Sequence, residues 1–242
     1  MTIGIFGDSF GDWDVKNGEL KTISWPYIVA GQLGRSCINM CNGGASLFYS
    51  YKTFLENQSQ CDRVIFLLTN PGRYTKPMYF ENRQPNRKHV NSLSTVEHML
   101  FQKGLSNIEK QNLEFLKGFY ISQDFEWEHT ACNLLVEKIR RVRPDVVLVP
   151  CFNFYQDKTG STVTLQDLMD LQCKSLGVNL TGMDFIDRYT EKNVVCHFTD
   201  STNQFVAQQM IESLQNGQWT CTLPDSIVHA HDVNYYYERK FL

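Results

Sequence analysis

The chain opens on an apolar run, Met1-Thr2-Ile3-Gly4-Ile5-Phe6, that stops abruptly at Gly7-Asp8-Ser9-Phe10-Gly11. A run this short cannot make a stable helix. It reads as a buried strand, and the Gly-Asp-Ser segment as the tight turn leaving its carboxyl end. In an open α/β sheet that edge is where ligands bind. A serine held there is a nucleophile if a base can reach it, and a turn or capping residue if none can.

The pattern repeats down the chain. Ser24-Trp25-Pro26 starts a helix that runs to Gly34, with Ser24 as N-cap, proline in the first turn and glycine as the stop. Cys37 to Cys41 is a second short strand, broken at Asn42-Gly43-Gly44. Leu47 to Leu55 is helical, and Arg63 to Thr69 is a strand ending at Asn70-Pro71-Gly72. Strands alternating with helices, each strand closed by turn residues, predict a parallel sheet with helices on both faces.

Residues 70–123 interrupt this alternation as a long polar insertion, with short helices expected between Ser94 and Lys103 and between Asn107 and Phe119. Insertions of this length are usually lids or binding loops. Between Pro71 and Val90, five bases (Arg73, Lys76, Arg83, Arg87, Lys88) face the single acid Glu81, with Tyr74, Tyr79 and Phe80 interleaved. That composition suits a lid over an acidic or carbohydrate substrate; it equally suits a solvated loop.

The alternation resumes with a helix from Asp124 to Arg141, whose Cys132, Leu135, Val136 and Ile139 share one face. Asp145 to Pro150 is a fourth strand and Leu165 to Leu176 a helix. Residues 178–186 are a weak fifth strand. A final helix is framed by the capping box Ser201-Thr202-Asn203-Gln204 and stopped by Asn216-Gly217. The tail, 218–242, is apolar in patches and either packs back on the domain or mates with a second subunit, so that a homo-oligomer could form through it. With 242 residues, the chain suits one domain spanning 1–242.

Net charge is −3, which indicates no nucleic-acid partner. No stretch is long and apolar enough for a membrane span. No basic segment followed by a long apolar one opens the sequence, so a cytoplasmic location is expected, or release without a signal peptide, as in a virion. The eight cysteines are scattered without a C-x-x-C pair, which favours buried free thiols over zinc ligands or disulfides. The first strand is followed by neither G-x-G-x-x-G spacing nor a phosphate-loop lysine, and no cofactor or metal is expected.

Three strands end in polar turns, at Ser9, at Asn42-Gly43-Gly44 and at Asn70, and a parallel sheet gathers all three on one edge. Acyl transfer needs such a gathering: a nucleophile, and donors for the oxyanion that forms on the carbonyl. A base is still required. Of the six histidines, His197 alone lies just before a helix of the core alternation, on that same edge.

These blocks resemble those of the SGNH (GDSL-type) hydrolases. Gly7-Asp8-Ser9-Phe10 is similar to the family's first block, Asn39 to Ser46 to the second, Thr69-Asn70 to the third, and His197-Phe198-Thr199 with Asn203 to the last. The resemblance covers roughly residues 1–70 and 140–216. It implies a three-layer α/β/α, flavodoxin-like fold with a central parallel sheet and the insertion placed after the third strand. It also implies a carboxylic ester hydrolase in which Ser9 attacks, His197 is the base, and Gly44 and Asn70 line the oxyanion hole. Small acyl groups on a carbohydrate or similar alcohol are the implied substrates. The sequence departs from the family in two places. The third block reads Leu68-Thr69-Asn70-Pro71 where Gly-x-Asn-Asp is usual. Val194 stands three residues before His197, where the family carries the aspartate that orients the base. A backbone carbonyl, Asp184, Asp187 or Asp200 is left for that task, and a weakened or inactive binding module is the alternative reading.

Overall fold

The computed structural model describes residues 1–11, 15–16, 19–20, 24–42, 45–70, 74–75, 89–90, 100–101, 104–121, 125–155, 159–160, 163–175 and 198–227. At its centre is a sheet of four strands: β1 (Thr2–Phe6), β2 (Ser36–Asn39), β3 (Arg63–Leu68) and β4 (Val147–Pro150). Every pairing in it is parallel, and the order is β2-β1-β3-β4. This order is compatible with a flavodoxin-like, doubly wound sheet, in which the winding reverses between β1 and β3. The carboxyl ends of those two strands lead into Gly7-Asp8-Ser9 and Thr69-Asn70.

Among the described residues there are six helices: α1 (Trp25–Gln32), α2 (Leu47–Asn57), α3 (Asn107–Ile121), α4 (Phe125–Val142), α5 (Leu165–Ser175) and α6 (Asp200–Asn216). Because strand side chains alternate, each strand feeds two cores. Ile3, Ile5, Ile65, Leu67, Val147 and Val149 join Trp25 and Val29 of α1, Leu168 and Met169 of α5, and Val206 and Met210 of α6. Phe6, Val64, Phe66, Leu68 and Leu148 join Leu47 and Phe54 of α2 and Val136 and Ile139 of α4. The result is an α/β architecture with helices on both faces of an all-parallel sheet.

The helix ends follow local chemistry in some places and tertiary contacts in others. α1 stops where expected. Gly34 takes a left-handed φ of 59°, its N–H donates to Gly31 O and that of Arg35 to Ala30 O, the paired bonds of a Schellman cap. Ser24 occupies the N-cap position, but its side chain makes no capping bond. The Trp25 N–H is taken instead by Asn203 Oδ1, at 2.9 Å. The start of α6 differs from the expected box at Ser201: Thr199 is the N-cap, and its side chain accepts from Thr202 N. Gly217, at φ 75°, closes that helix.

Within the insertion, Tyr74–Thr75 pairs antiparallel with His89–Val90, and α3 supplies the second expected helix. Nearly all of the expected helix at Ser94 to Lys103, and the whole of the expected strand at 178–186, lie outside the described residues. The first part of the tail packs back on the domain. Trp219 is buried and donates from Nε1 to Val163 O at 2.9 Å, and Ile227 is buried with it. Among the described residues no helix is long and apolar enough to cross a membrane. Cys41, Cys61, Cys132, Cys151 and Cys173 are buried free thiols, and Cys37 and Cys221 are half-buried ones; Cys196 is outside the described residues.

Candidate active site

The turn after β1 is built by Asp8. Its side-chain Oδ1 accepts from Phe10 N at 3.1 Å, and its backbone carbonyl accepts from Gly11 N at 3.1 Å. An aspartate that hydrogen-bonds the backbone two residues on is a turn-forming device, so the turn-closing task falls to Asp8. Ser9 is carried at the second position of that turn, half-buried. Gly7 allows the chain to leave β1 hard against β3. A Cβ placed there would lie 2.5 Å from Leu67 Cβ, well inside contact distance, so only glycine fits.

Asp8 also reaches beyond its own turn. Thr69 Oγ1 donates to Asp8 Oδ2 at 2.6 Å, and Cys151 Sγ lies 3.9 Å from Oδ1. Asp8 and Thr69 are both fully buried. One carboxylate therefore contacts the residues that follow β1, β3 and β4, three neighbouring strands of the sheet. Asn70 comes directly after Thr69 and is half-buried, so Ser9 and Asn70 leave adjacent strands on the same edge.

The second strand end is stitched to the first. Asn39 Nδ2 donates to Gly11 O at 2.7 Å, and Asn39 Oδ1 accepts from Cys41 N at 3.0 Å. Asn42 N donates to Gly7 O at 3.2 Å. Further along, Ser46 caps α2 by accepting from Tyr49 N. Gly44, expected as an oxyanion donor, lies outside the described residues.

His197 also lies outside them, but the residues that follow it are described. The Phe198 ring packs on Phe10 with centroids 5.7 Å apart, and Phe152, just past β4, meets Phe10 edge-on at 5.7 Å. Thr199 N donates to Gln172 Oε1 at 2.8 Å. Asn203 Nδ2 donates to Phe198 O and Thr199 O. Trp25 Nε1 donates to Phe10 O at 2.7 Å. Phe10, one residue past Ser9, is thus held by α1, by the exit of β4 and by the segment leading into α6.

Tyr155 lies fully buried beneath this edge. Burial pushes its phenol far above the usual range, with Cys132, Cys151 and Asp8 adding to the effect. It stays protonated and cannot serve as a base. Among the described residues no group of three His, Cys, Asp or Glu side chains could hold a metal ion.

Of the four residues expected from the sequence, the structure brings Ser9 and Asn70 to one edge. Sequence reasoning missed Asp8 as a tie between strands, Thr69 as its partner and Phe152 as a wall beside Phe10. The Asx-turn signal at Asp8 was readable; the Thr69 and Cys151 contacts, made across the sheet, were not. No protein-family model matches the chain, and no curated protein matches it either.

Proposed function

We propose that the protein is a serine esterase of the SGNH type. Ser9 Oγ attacks the carbonyl carbon of an ester while His197 takes the hydroxyl proton. The tetrahedral oxyanion accepts hydrogen bonds from the N–H groups of Ser9 and Gly44 and from the Asn70 amide. Its collapse expels the alcohol, which leaves with the proton held by His197. Water then attacks the acyl-enzyme, His197 again taking the proton, and releases the acid and Ser9.

The observation that carries this reading is the placement of Ser9 and Asn70 after adjacent parallel strands on the carboxyl edge, at the point where the winding of the sheet reverses. Small acyl groups on a carbohydrate or similar alcohol are the proposed substrates, a class that the aromatic and basic composition of the insertion suits. A cytoplasmic location, or one within a particle such as a virion, goes with this reading.

A fluorophosphonate probe tests it. Wild-type protein should be labelled at Ser9, as located by peptide mapping, and Ser9→Ala should not be labelled. The presence of Val194 where the family has an aspartate supports the second reading, a binding module on the same scaffold. Tight glycan binding by a protein that the probe leaves unlabelled would favour that reading.

A further inference from the structure

Asp8 is not needed as an acid or a base in the reaction above, yet it ties its own turn to the ends of two neighbouring strands. It is fully buried. Oδ1 accepts from Phe10 N and faces Cys151 Sγ, and Oδ2 accepts from Thr69 Oγ1 at 2.6 Å. Asp8 and Thr69 are 61 positions apart in sequence and immediately precede Ser9 and Asn70. The backbone that carries the nucleophile and the backbone that carries the side-chain oxyanion donor are therefore tied by a short hydrogen bond between the residues just before them. At 2.6 Å it lies at the short end of the O–H···O range.

We infer that Asp8 is a positioning residue, and that its bond to Thr69 sets the separation of Ser9 from Asn70. This rests on the serine-esterase reading. The oxyanion forms only after attack, so its donors must already stand at the right distance from the nucleophile. A donor held on a separate strand is only as well placed as the link between the strands. The parallel ladder supplies part of that link, but it ends at Phe6 and Phe66 in the β1–β3 register. Past that point β1 gives way to its turn while β3 runs on to Leu68, and the Asp8–Thr69 bond continues the tie. Thr69→Val keeps the shape of the side chain and deletes the donor. The two turns can then drift apart by a fraction of an ångström, and a misplacement of about 1 Å can cost on the order of 100-fold in rate.

The test uses the full-length chain and a fluorophosphonate probe, recording two quantities for each variant: the rate constant of Ser9 labelling and the final fraction of molecules labelled. For Thr69→Val the rate constant should fall about 10- to 100-fold while the labelled fraction stays as in wild type. Thr69→Ser keeps the hydroxyl and should restore the rate to within about threefold of wild type. With p-nitrophenyl acetate the loss should appear in kcat and leave KM within about twofold.

An unchanged rate constant in Thr69→Val overturns the inference. So does a reduced labelled fraction with a normal rate constant, which is the mark of a merely structural bond. If Thr69→Val does not fold, Thr69→Ala takes its place, with the same slowing expected. Failure of both to fold would make the pair a folding determinant and also overturn the inference. Failure of wild-type Ser9 to label is a separate result that removes the esterase reading and, with it, this one.

Discussion

The ring of Phe10 lies against that of Phe198, centroids 5.7 Å apart and planes tilted by 40°. The contact joins the residue after Ser9 to a residue buried at the foot of α6, more than half the chain away. Phe198 is 7% exposed. Truncating a buried phenylalanine removes its transfer energy and leaves a cavity, so Phe198→Ala should cost about 3 kcal/mol. Urea unfolding checks this, and a loss below about 1 kcal/mol would mean that the ring contributes little to holding the two segments together.

Asn203 and Ser24 should behave in opposite ways. Asn203 satisfies Trp25 N and the carbonyls of Phe198 and Thr199. Asn203→Ala leaves these groups buried without that partner and should cost on the order of 3 kcal/mol. Ser24 is the residue a local rule marks as the cap, and losing a cap typically costs about 1 kcal/mol. Its hydroxyl is buried and makes no hydrogen bond among the described residues, so Ser24→Ala should change stability by no more than about 0.5 kcal/mol, or raise it. Paired thermal melts decide it; a larger loss for Ser24→Ala than for Asn203→Ala would reverse the assignment.

Gly7→Ala should be destabilising by about 1–3 kcal/mol, the usual cost of overpacking. The added Cβ would sit 2.5 Å from Leu67 Cβ, and Leu67 is fully buried, so neither chain has room to yield. Denaturant unfolding of the variant tests this, and unchanged stability would show that the β1–β3 exit is looser than described.

On the proposed esterase reading, Asn70→Ala should lower kcat by about 10²–10³ on p-nitrophenyl acetate, with little change in folding because Asn70 is only half-buried. Full activity in this variant would exclude the Asn70 amide as an oxyanion donor.

The half-buried thiols should be slow to react. Burial raises Cys37 from the ordinary 9.0 to about 11 and Cys221 from 9.0 to about 12. Only the thiolate is alkylated, so at pH 8 Cys37 should react about 100-fold more slowly than a thiol of ordinary pKa. Both are acids whose folded pKa is raised. The neutral form favours the fold, and its contribution is complete below about pH 9 and is lost as pH rises through about 11 and 12. Iodoacetamide labelling read by peptide mapping, in native buffer and in urea, measures the ratio; equal rates at pH 8 would contradict the burial.

The strands were legible because their environment is simple. Val64 to Leu68 are buried on both sides of the sheet, and such a strand reads as an unbroken apolar run. The end of α1 was legible because a glycine in a left-handed conformation is a local solution to a local problem. The start of α6 was not. Thr199 and Ser201 both satisfy the capping rule, and what selects Thr199 is a bond from its own N–H to Gln172 on another helix. The candidate site divides the same way. Ser9 and Asn70 stood out as polar residues at strand ends, while the Asp8–Thr69 tie depends on how two strands pair and leaves no mark in the spacing of either segment.

The Trp25–Asn203 bond spans 178 positions, and this has a consequence for how the protein is made. During synthesis the amino-terminal segments emerge first and begin to fold first. Trp25 can receive its partner only when α6 has left the ribosome, and the face of α1 that packs on α6 stays uncovered until then. Every nascent chain passes through a stage in which β1, α1 and β2 exist without their final cover. A helix near the end of the sequence completes one near its start.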